Sequence, residues 1–238
     1  PNCFGGVCQA GFTHHDGLGH TWIDNIPTGT LDDHQLSVLD MIVPLAMDQY
    51  HVPGLAVAIV EDGKVVFVKG YGVTDTASGT PVTPQTAFNT GGLAAQFTAA
   101  AILQLVEQGK IDLDAPVTQY LPAFTMADER YREITVRQLL THNSGLADGY
   151  EADWSKPLEE MWQGLRPDTA PGARARYLQL LAGQKLLFAP GTDWSYADVD
   201  YNLLGAVIEA VAGQSFETYM HDHIFAPLGM AHTTFVPT

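Results

Sequence analysis

A chain of 238 residues is long enough for one large domain or two small ones, and its 46% hydrophobic content with a mean hydropathy of +0.00 describes a globular protein. No apolar run approaches the roughly 20 residues that a bilayer span needs, which excludes a membrane-crossing helix. The 11 basic residues against 27 acidic ones leave a formal charge of -16, spread along the chain rather than gathered in a tail, so the surface repels phosphate backbones and nucleic acid is excluded as a partner.

Residues 1–29 carry Gly, Pro, Asn and His without periodicity and read as a leader. The chain opens at Pro1 rather than Met, with no apolar signal segment, and a processed or trimmed N-terminus is expected. Cys3 and Cys8 fit a small disulfide loop, which would place the protein outside the cytoplasm, secreted or extracytoplasmic. Two other readings stay open: a flexible leader with free thiols, and a metal site shared with His14, His15 and His20. The metal reading lacks a recognised ligand spacing such as Cys-x2-Cys, so neither a metal nor a cofactor is assigned.

Residues 30–238 form the domain proper. Thr30 followed by Asp33 has the look of a capping box, and Leu36, Leu39, Ile42, Val43 and Ala46 recur at helical spacing up to Tyr50, with a kink expected at Pro44. Residues 54–60 and 65–68 are β-rich runs around Asp62-Gly63, which predicts a hairpin of buried strands. Helices are predicted from about Leu93 to Gln108 with Gly109 as the stop, over Thr135 to Thr141, about 173 to 183, Tyr201 to Ala212 ending at Gly213, and Phe216 to His223. Strands first and helices afterwards argue α+β. A two-stranded hairpin is not a stable sheet alone, so either further strands from a second chain or segment complete it or the sheet is very small.

Several segments, in order, resemble the serine β-lactamase and penicillin-binding-protein family, which includes class C β-lactamases, DD-peptidases and related esterases. They are Val52-Pro53-Gly54-Leu55-Ala56-Val57, Thr86 to Phe88, Phe97 to Asp114, Ile134 to Leu146 with its Thr141-His142-Asn143-Ser144-Gly145 turn, Pro190 to Tyr196, and Phe225 to Met230. Together they cover roughly residues 30–235, a far more specific signal than one short motif. The resemblance implies a helical subdomain packed on an antiparallel sheet, with the C-terminal strands and a late Lys/His-Thr/Ser-Gly wall not found in these residues.

The resemblance also implies a nucleophilic serine four residues after Phe88, within Ser-x-x-Lys, where one helical turn brings the lysine amine to the hydroxyl. Here the stretch reads Thr90-Gly91-Gly92-Leu93-Ala94-Ala95: Gly92 carries no nucleophile and Ala95 no base. Thr90 and Thr98 do not restore the dyad, because neither has a lysine three residues later. The family's Tyr-x-Asn is half kept as Tyr196-Ala197-Asp198; Tyr196 is a candidate acid or base, or a buried tyrosine with a satisfied hydroxyl, and Asp198 places a charge where an amide would meet a substrate carbonyl. His142 is a weaker candidate base, more naturally a structural turn residue, while His221, His223 and His232 read as solvated. Gly91, Leu93, Asn143 and Asp198 are the remaining pocket candidates.

The leading expectation is a non-hydrolytic member of the fold, a pseudoenzyme that binds a small molecule or a pocket reused to orient a reactant. Rival readings are a serine hydrolase carried in an inactivated or engineered form, and a structural or protein-interaction module whose cleft is closed.

Overall fold

The computed structural model describes residues 31–147, 178 and 181–234, together with the backbone of two short strands near the N-terminus. Its contacts divide the chain into two compact units, Pro1–Phe88 and Asn89–Thr238.

In the first unit, β1 (Asn2–Phe4) and β2 (Val7–Gln9) pair antiparallel with Cys3 opposite Cys8 in the backbone register. The Cys3 and Cys8 side chains, and His14, His15 and His20, lie outside the described residues. Helix α1 (Asp33–Tyr50) is capped by Asp32 rather than Thr30: Asp32 Oδ1 accepts from Gln35 N at 2.8 Å and Gln35 Oε1 accepts from Asp32 N at 2.9 Å. The reciprocal box needs a side chain at the third helical position long enough to reach back, which Gln35 supplies and Asp33 does not. Pro44 lies within α1, and the helix continues through it to a left-handed His51 at φ 54°.

Strands β3 (Gly54–Glu61) and β4 (Lys64–Asp75) form the expected hairpin, with Ile59 opposite Phe67 and Glu61 opposite Lys64. Asp62 and Gly63 both take positive φ, 49° and 73°, the backbone that a two-residue turn between right-twisted strands requires. Two features depart from the sequence expectation. Strand β4 runs seven residues past Val68, and a short β5 (Thr80–Pro81) pairs with it, giving a three-stranded sheet in the order β3-β4-β5. Lys69, Gly70 and Gly72 interrupt the apolar pattern that marks a strand, yet Gly70 is where β4 meets the backbone of Val82 so closely that a Cβ would collide with it.

The strands are also less buried than predicted. Val66, Phe67 and Tyr71 of β4 are buried, whereas in β3 Leu55, Val57 and Ile59 are half-buried and Ala56, Ala58 and Val60 exposed. The alternation leaves one face of β3 exposed among the described residues, while in β4 the adjacent Val66 and Phe67 are both buried. Helix α1 has no fully buried residue, and Ile42, Val43, Ala46, Met47, Tyr50, Val52 and Leu55 line an apolar groove of about 310 Å3.

The second unit holds the larger core. A short 3-10 turn (Gly91–Ala94) leads into α2 (Ala95–Glu107), whose Ala101, Ile102 and Leu105 are fully buried. Helix α3 (Val136–Leu140) is capped by a reciprocal Thr135/Gln138 box. Helix α4 (Asp198–Ala212) begins three residues before the predicted Tyr201; it has no side-chain cap, and Asp198 and Asp200 in its first turn complement the positive end of the helix instead. Helix α5 (Phe216–Met220) stops earlier than expected and gives way to a π turn over His221–Phe225. These elements enclose one cluster that includes Leu105, Val117, Phe124, Ile134, Leu139, Leu203, Ile208 and Met220. The helix expected over about 173 to 183 falls largely outside the described residues.

The observed architecture is α+β, helices with an antiparallel three-stranded sheet. Among the described residues, no helix is long and apolar enough to cross a membrane.

Candidate functional site

Gly92 and Ala95 lie one turn apart where the 3-10 turn passes into α2, and the Ala95 N–H donates to the Gly92 carbonyl. Helical spacing therefore puts the two positions on one side of the helix start, the arrangement in which a hydroxyl and an amine would meet. Gly92 and Leu93 are exposed and Ala95 is half-buried. Gly91, at φ 52°, precedes them with its N–H held by Asn89 Oδ1 at 2.9 Å.

Tyr196 stands over this point. A β-carbon at Gly92 would lie 3.1 Å from Tyr196 Oη, with no other contact within 4 Å among the described residues outside its chain neighbours. The sequence alternative of a buried tyrosine is not what forms, since Tyr196 is 46% exposed. Its hydroxyl donates to Asp198 Oδ1 at 2.6 Å, so the first and third residues of Tyr196-Ala197-Asp198 engage each other. A carboxylate can only accept, which fixes the phenol as donor in this contact.

His142 lies behind Tyr196. It adopts φ 57°, a left-handed residue in the turn after α3, and its carbonyl accepts from Ser195 N at 3.0 Å. Gly145, at φ 79°, carries the same turn so close to the Phe188 carbonyl that no side chain fits there. The His142 ring centroid lies 4.7 Å from that of Tyr196, 5.3 Å from Tyr201 and 6.4 Å from Trp194. Its Nδ1 is 2.9 Å from Asp200 Oδ2, and Ser144 Oγ donates to Asp200 Oδ1 at 2.6 Å. Asp200 and Ser144 are buried, and Ser144 Oγ also accepts from Leu146 N at 3.0 Å. The imidazole is thus oriented from behind by a carboxylate that has no contact with water. The Ala197 N–H also points at Nδ1, at 3.4 Å, but the shorter contact with an acceptor-only carboxylate makes Nδ1 the protonated nitrogen. Asn143 turns away, donating to the Asp193 carbonyl at 2.8 Å. Tyr201 donates to the Leu140 carbonyl, and burial together with the Asp200 charge pushes its phenol up from the ordinary value.

Of the sequence candidates, Gly91, Gly92, Leu93 and Ala95 share the start of α2, while Tyr196, Asp198 and His142 gather through ring contacts and the Tyr196–Asp198 bond. Asp200, Ser144 and Trp194 were not singled out from sequence. The available signal was spacing: His142 and Ser144 are two apart on a turn, and Asp198 and Asp200 two apart at a helix start. Among the described residues, no group of three or more His, Cys, Asp or Glu could hold a metal ion. His221 pairs with Asp222 at 2.7 Å, and His223 packs on Tyr219 at 4.3 Å between ring centroids, both well away along the chain.

Comparison with known proteins places this geometry. The Beta-lactamase family profile matches residues 39–238. Protein flp of Staphylococcus aureus (strain MW2) is 31% identical over 204 residues, 84% of this chain and 38% of flp. The octameric penicillin-binding protein homologue from Pyrococcus abyssi superposes with a TM-score of 0.65 at 35% identity, covering 82% of this chain and 43% of that one. The D-alanine carboxypeptidase AmpC from Burkholderia cenocepacia superposes at 0.67 with 31% identity, covering 87% and 52%. The chain therefore spans about two fifths to one half the length of these relatives. It has the β-lactamase/transpeptidase-like fold and hydrolase-type neighbours, and it belongs to the Beta-lactamase family.

Proposed function

We propose that this protein is a non-hydrolytic member of the family that binds a small molecule at the start of α2, without forming an acyl-enzyme. The observation that carries the reading is the pairing of Gly92 and Ala95 one turn apart beneath a retained Tyr196, whose hydroxyl would lie 3.1 Å from a β-carbon at 92. Neither position offers a nucleophile or a base, so the covalent route has no first step. The remaining polar groups, the Tyr196 hydroxyl and the Asp198 carboxylate, can hold and orient a ligand and hand over a proton.

The uncovered face of β3 and the groove along α1 support a second part of the proposal. Further strands, from a second chain or segment, pack there and complete the sheet. With Cys3 opposite Cys8 in the backbone register, a secreted or extracytoplasmic setting is proposed for the whole.

The test uses a chromogenic cephalosporin, p-nitrophenyl butyrate and a fluorescent serine-directed probe on the purified protein. The expected result is hydrolysis no faster than buffer and no covalent label. Turnover with labelling would overturn the reading. The rival reading, a hydrolase inactivated at two positions, draws on the small size of both Gly92 and Ala95. It requires the Gly92→Ser/Ala95→Lys double variant to gain at least about a hundredfold in esterase rate, the usual scale of general acid–base assistance. Little gain is expected, because the new Cβ crowds Tyr196 Oη and Asp198 remains a charge.

A further inference from the structure

We propose that a cavity at the C-terminal end of α2 binds a zwitterion, a small molecule that carries one ammonium and one carboxylate on an apolar chain. It lies at the opposite end of α2 from Gly92, about 20 Å away at the rise of an α-helix, and stands independently of the small-molecule reading above.

The frame of the cavity is set by how α2 stops. Gly109 takes φ 69°, and its N–H donates to the Val106 carbonyl at 2.8 Å while Lys110 N donates to the Leu105 carbonyl at 2.9 Å, the paired bonds of a glycine-terminated helix. Ile111 is buried and anchors the loop in the core. Asp112 N then donates to the Tyr120 hydroxyl at 2.7 Å, and Asp114 N to Asp112 Oδ1 at 2.9 Å. Arg137 closes the frame from α3. Its backbone N–H donates to the Leu113 carbonyl at 2.8 Å, and its guanidinium is forked on Asp114, Nε to Oδ1 at 2.7 Å and Nη2 to Oδ2 at 2.8 Å. A loop pinned at this many donors holds a cavity of about 510 Å3 without a ligand to order it, so binding there is spared that cost.

The charges that line it are Lys110, Asp112, Asp114 and Arg137. Asp114 and Arg137 neutralise each other in their bidentate pair. Lys110 and Asp112 remain, one cation and one anion two residues apart, and no ion pair among the described residues engages either. A singly charged molecule meets one attraction and one repulsion at such a site, whereas a zwitterion meets two attractions. The Asp112 carboxylate has more acceptor positions than Asp114 N occupies, so it can receive an ammonium. The Tyr120 hydroxyl accepts from Asp112 N and keeps its own proton to donate, which adds a neutral donor for the carboxylate that Lys110 attracts. Val106, Ile111 and Leu113 supply apolar surface for the chain.

Titration of the full chain with norleucine, pentylammonium and hexanoate, followed by its backbone amide signals, holds the ligand chain nearly constant and varies the charge. Norleucine is expected to bind about fivefold more tightly than either singly charged molecule, the scale of one additional exposed ion pair, and to shift the amides of residues 109–114 rather than those of 91–93. Lys110→Met should weaken hexanoate and tighten pentylammonium, and Asp112→Asn should do the reverse. A damaged loop would weaken both ligands together, so the crossed pattern separates charge from misfolding. Lys64→Met, the same charge loss at the start of β4, should leave all three affinities unchanged. Either singly charged molecule matching norleucine overturns the proposal. So does an order of affinities unchanged in either cavity variant, a shift confined to amides outside 109–114, or failure of all three to bind.

Discussion

Asp200 has no exposed surface, and both carboxylate oxygens are engaged, one by Ser144 Oγ at 2.6 Å and the other by His142 Nδ1 at 2.9 Å. A buried acid of this kind is tolerated only because its partners satisfy it, and it fastens the 141–146 turn to the first turn of α4. Replacing it with Asn keeps the volume but presents an amide N–H to a donor. The expected cost is about 2–4 kcal/mol, from a buried donor left unmade. In urea this lowers the unfolding midpoint by about 1–2 M at the slope usual for small proteins. An unchanged midpoint would show that the contact is not holding the turn. Gly92 and Ala95 stand out in the sequence because neither carries a nucleophile or a base within a helix that is otherwise regularly patterned, whereas burial of Asp200 depends on a partner 58 residues away and leaves no local trace.

Helix α1 is joined to β4 by a polar clasp rather than by buried side chains. Lys69 Nζ lies 2.6 Å from Asp40 Oδ1, and the Tyr71 hydroxyl donates to the same oxygen at 2.9 Å. The Lys69 hydrogen bond, aided by that of Tyr71, holds the Asp40 carboxyl below the ordinary carboxylate value of 3.8, against the opposing effect of burial. Burial, and then the Asp40 carboxylate, push the Tyr71 phenol up. The sign follows: a depressed carboxylate contributes stability that is present above the unfolded value near 3.8 and lost as pH falls through the folded one. Hydrogen exchange of α1 amides relative to those of α2 is therefore expected to rise below pH 3.8 in the native protein, and this extra rise should be absent in Asp40→Asn. Equal acid sensitivity in the two proteins would remove the clasp from the explanation. Elements with a strong period, α1, the β3–β4 hairpin and α2, were legible in the sequence. The third strand was not, because Thr80–Pro81 is two residues long and β4 reaches it through Lys69, Gly70 and Gly72, which interrupt the pattern. The π turn at His221–Phe225 was hidden likewise, since one extra residue in a helical turn leaves the apolar spacing almost unchanged.

At the scale of the molecule, the family and the α+β class could be read from ordered motifs, while the completeness of the sheet could not. Three strands in the order β3-β4-β5 leave β3 at an edge among the described residues, and Leu55 to Val60 within it is a run of six apolar residues with no charge, Pro or Gly. Such a run on an open edge has the composition of a steric-zipper segment. An open run of this composition is expected to act as a seed for cross-β growth, so that loss of protein from concentrated solution is expected to follow nucleation rather than unfolding. Ala58 points outward on that strand, and Ala58→Lys places a gatekeeper charge in the run without entering the core. The lag before thioflavin fluorescence rises should lengthen several-fold in Ala58→Lys, and an equal lag would locate the seed elsewhere.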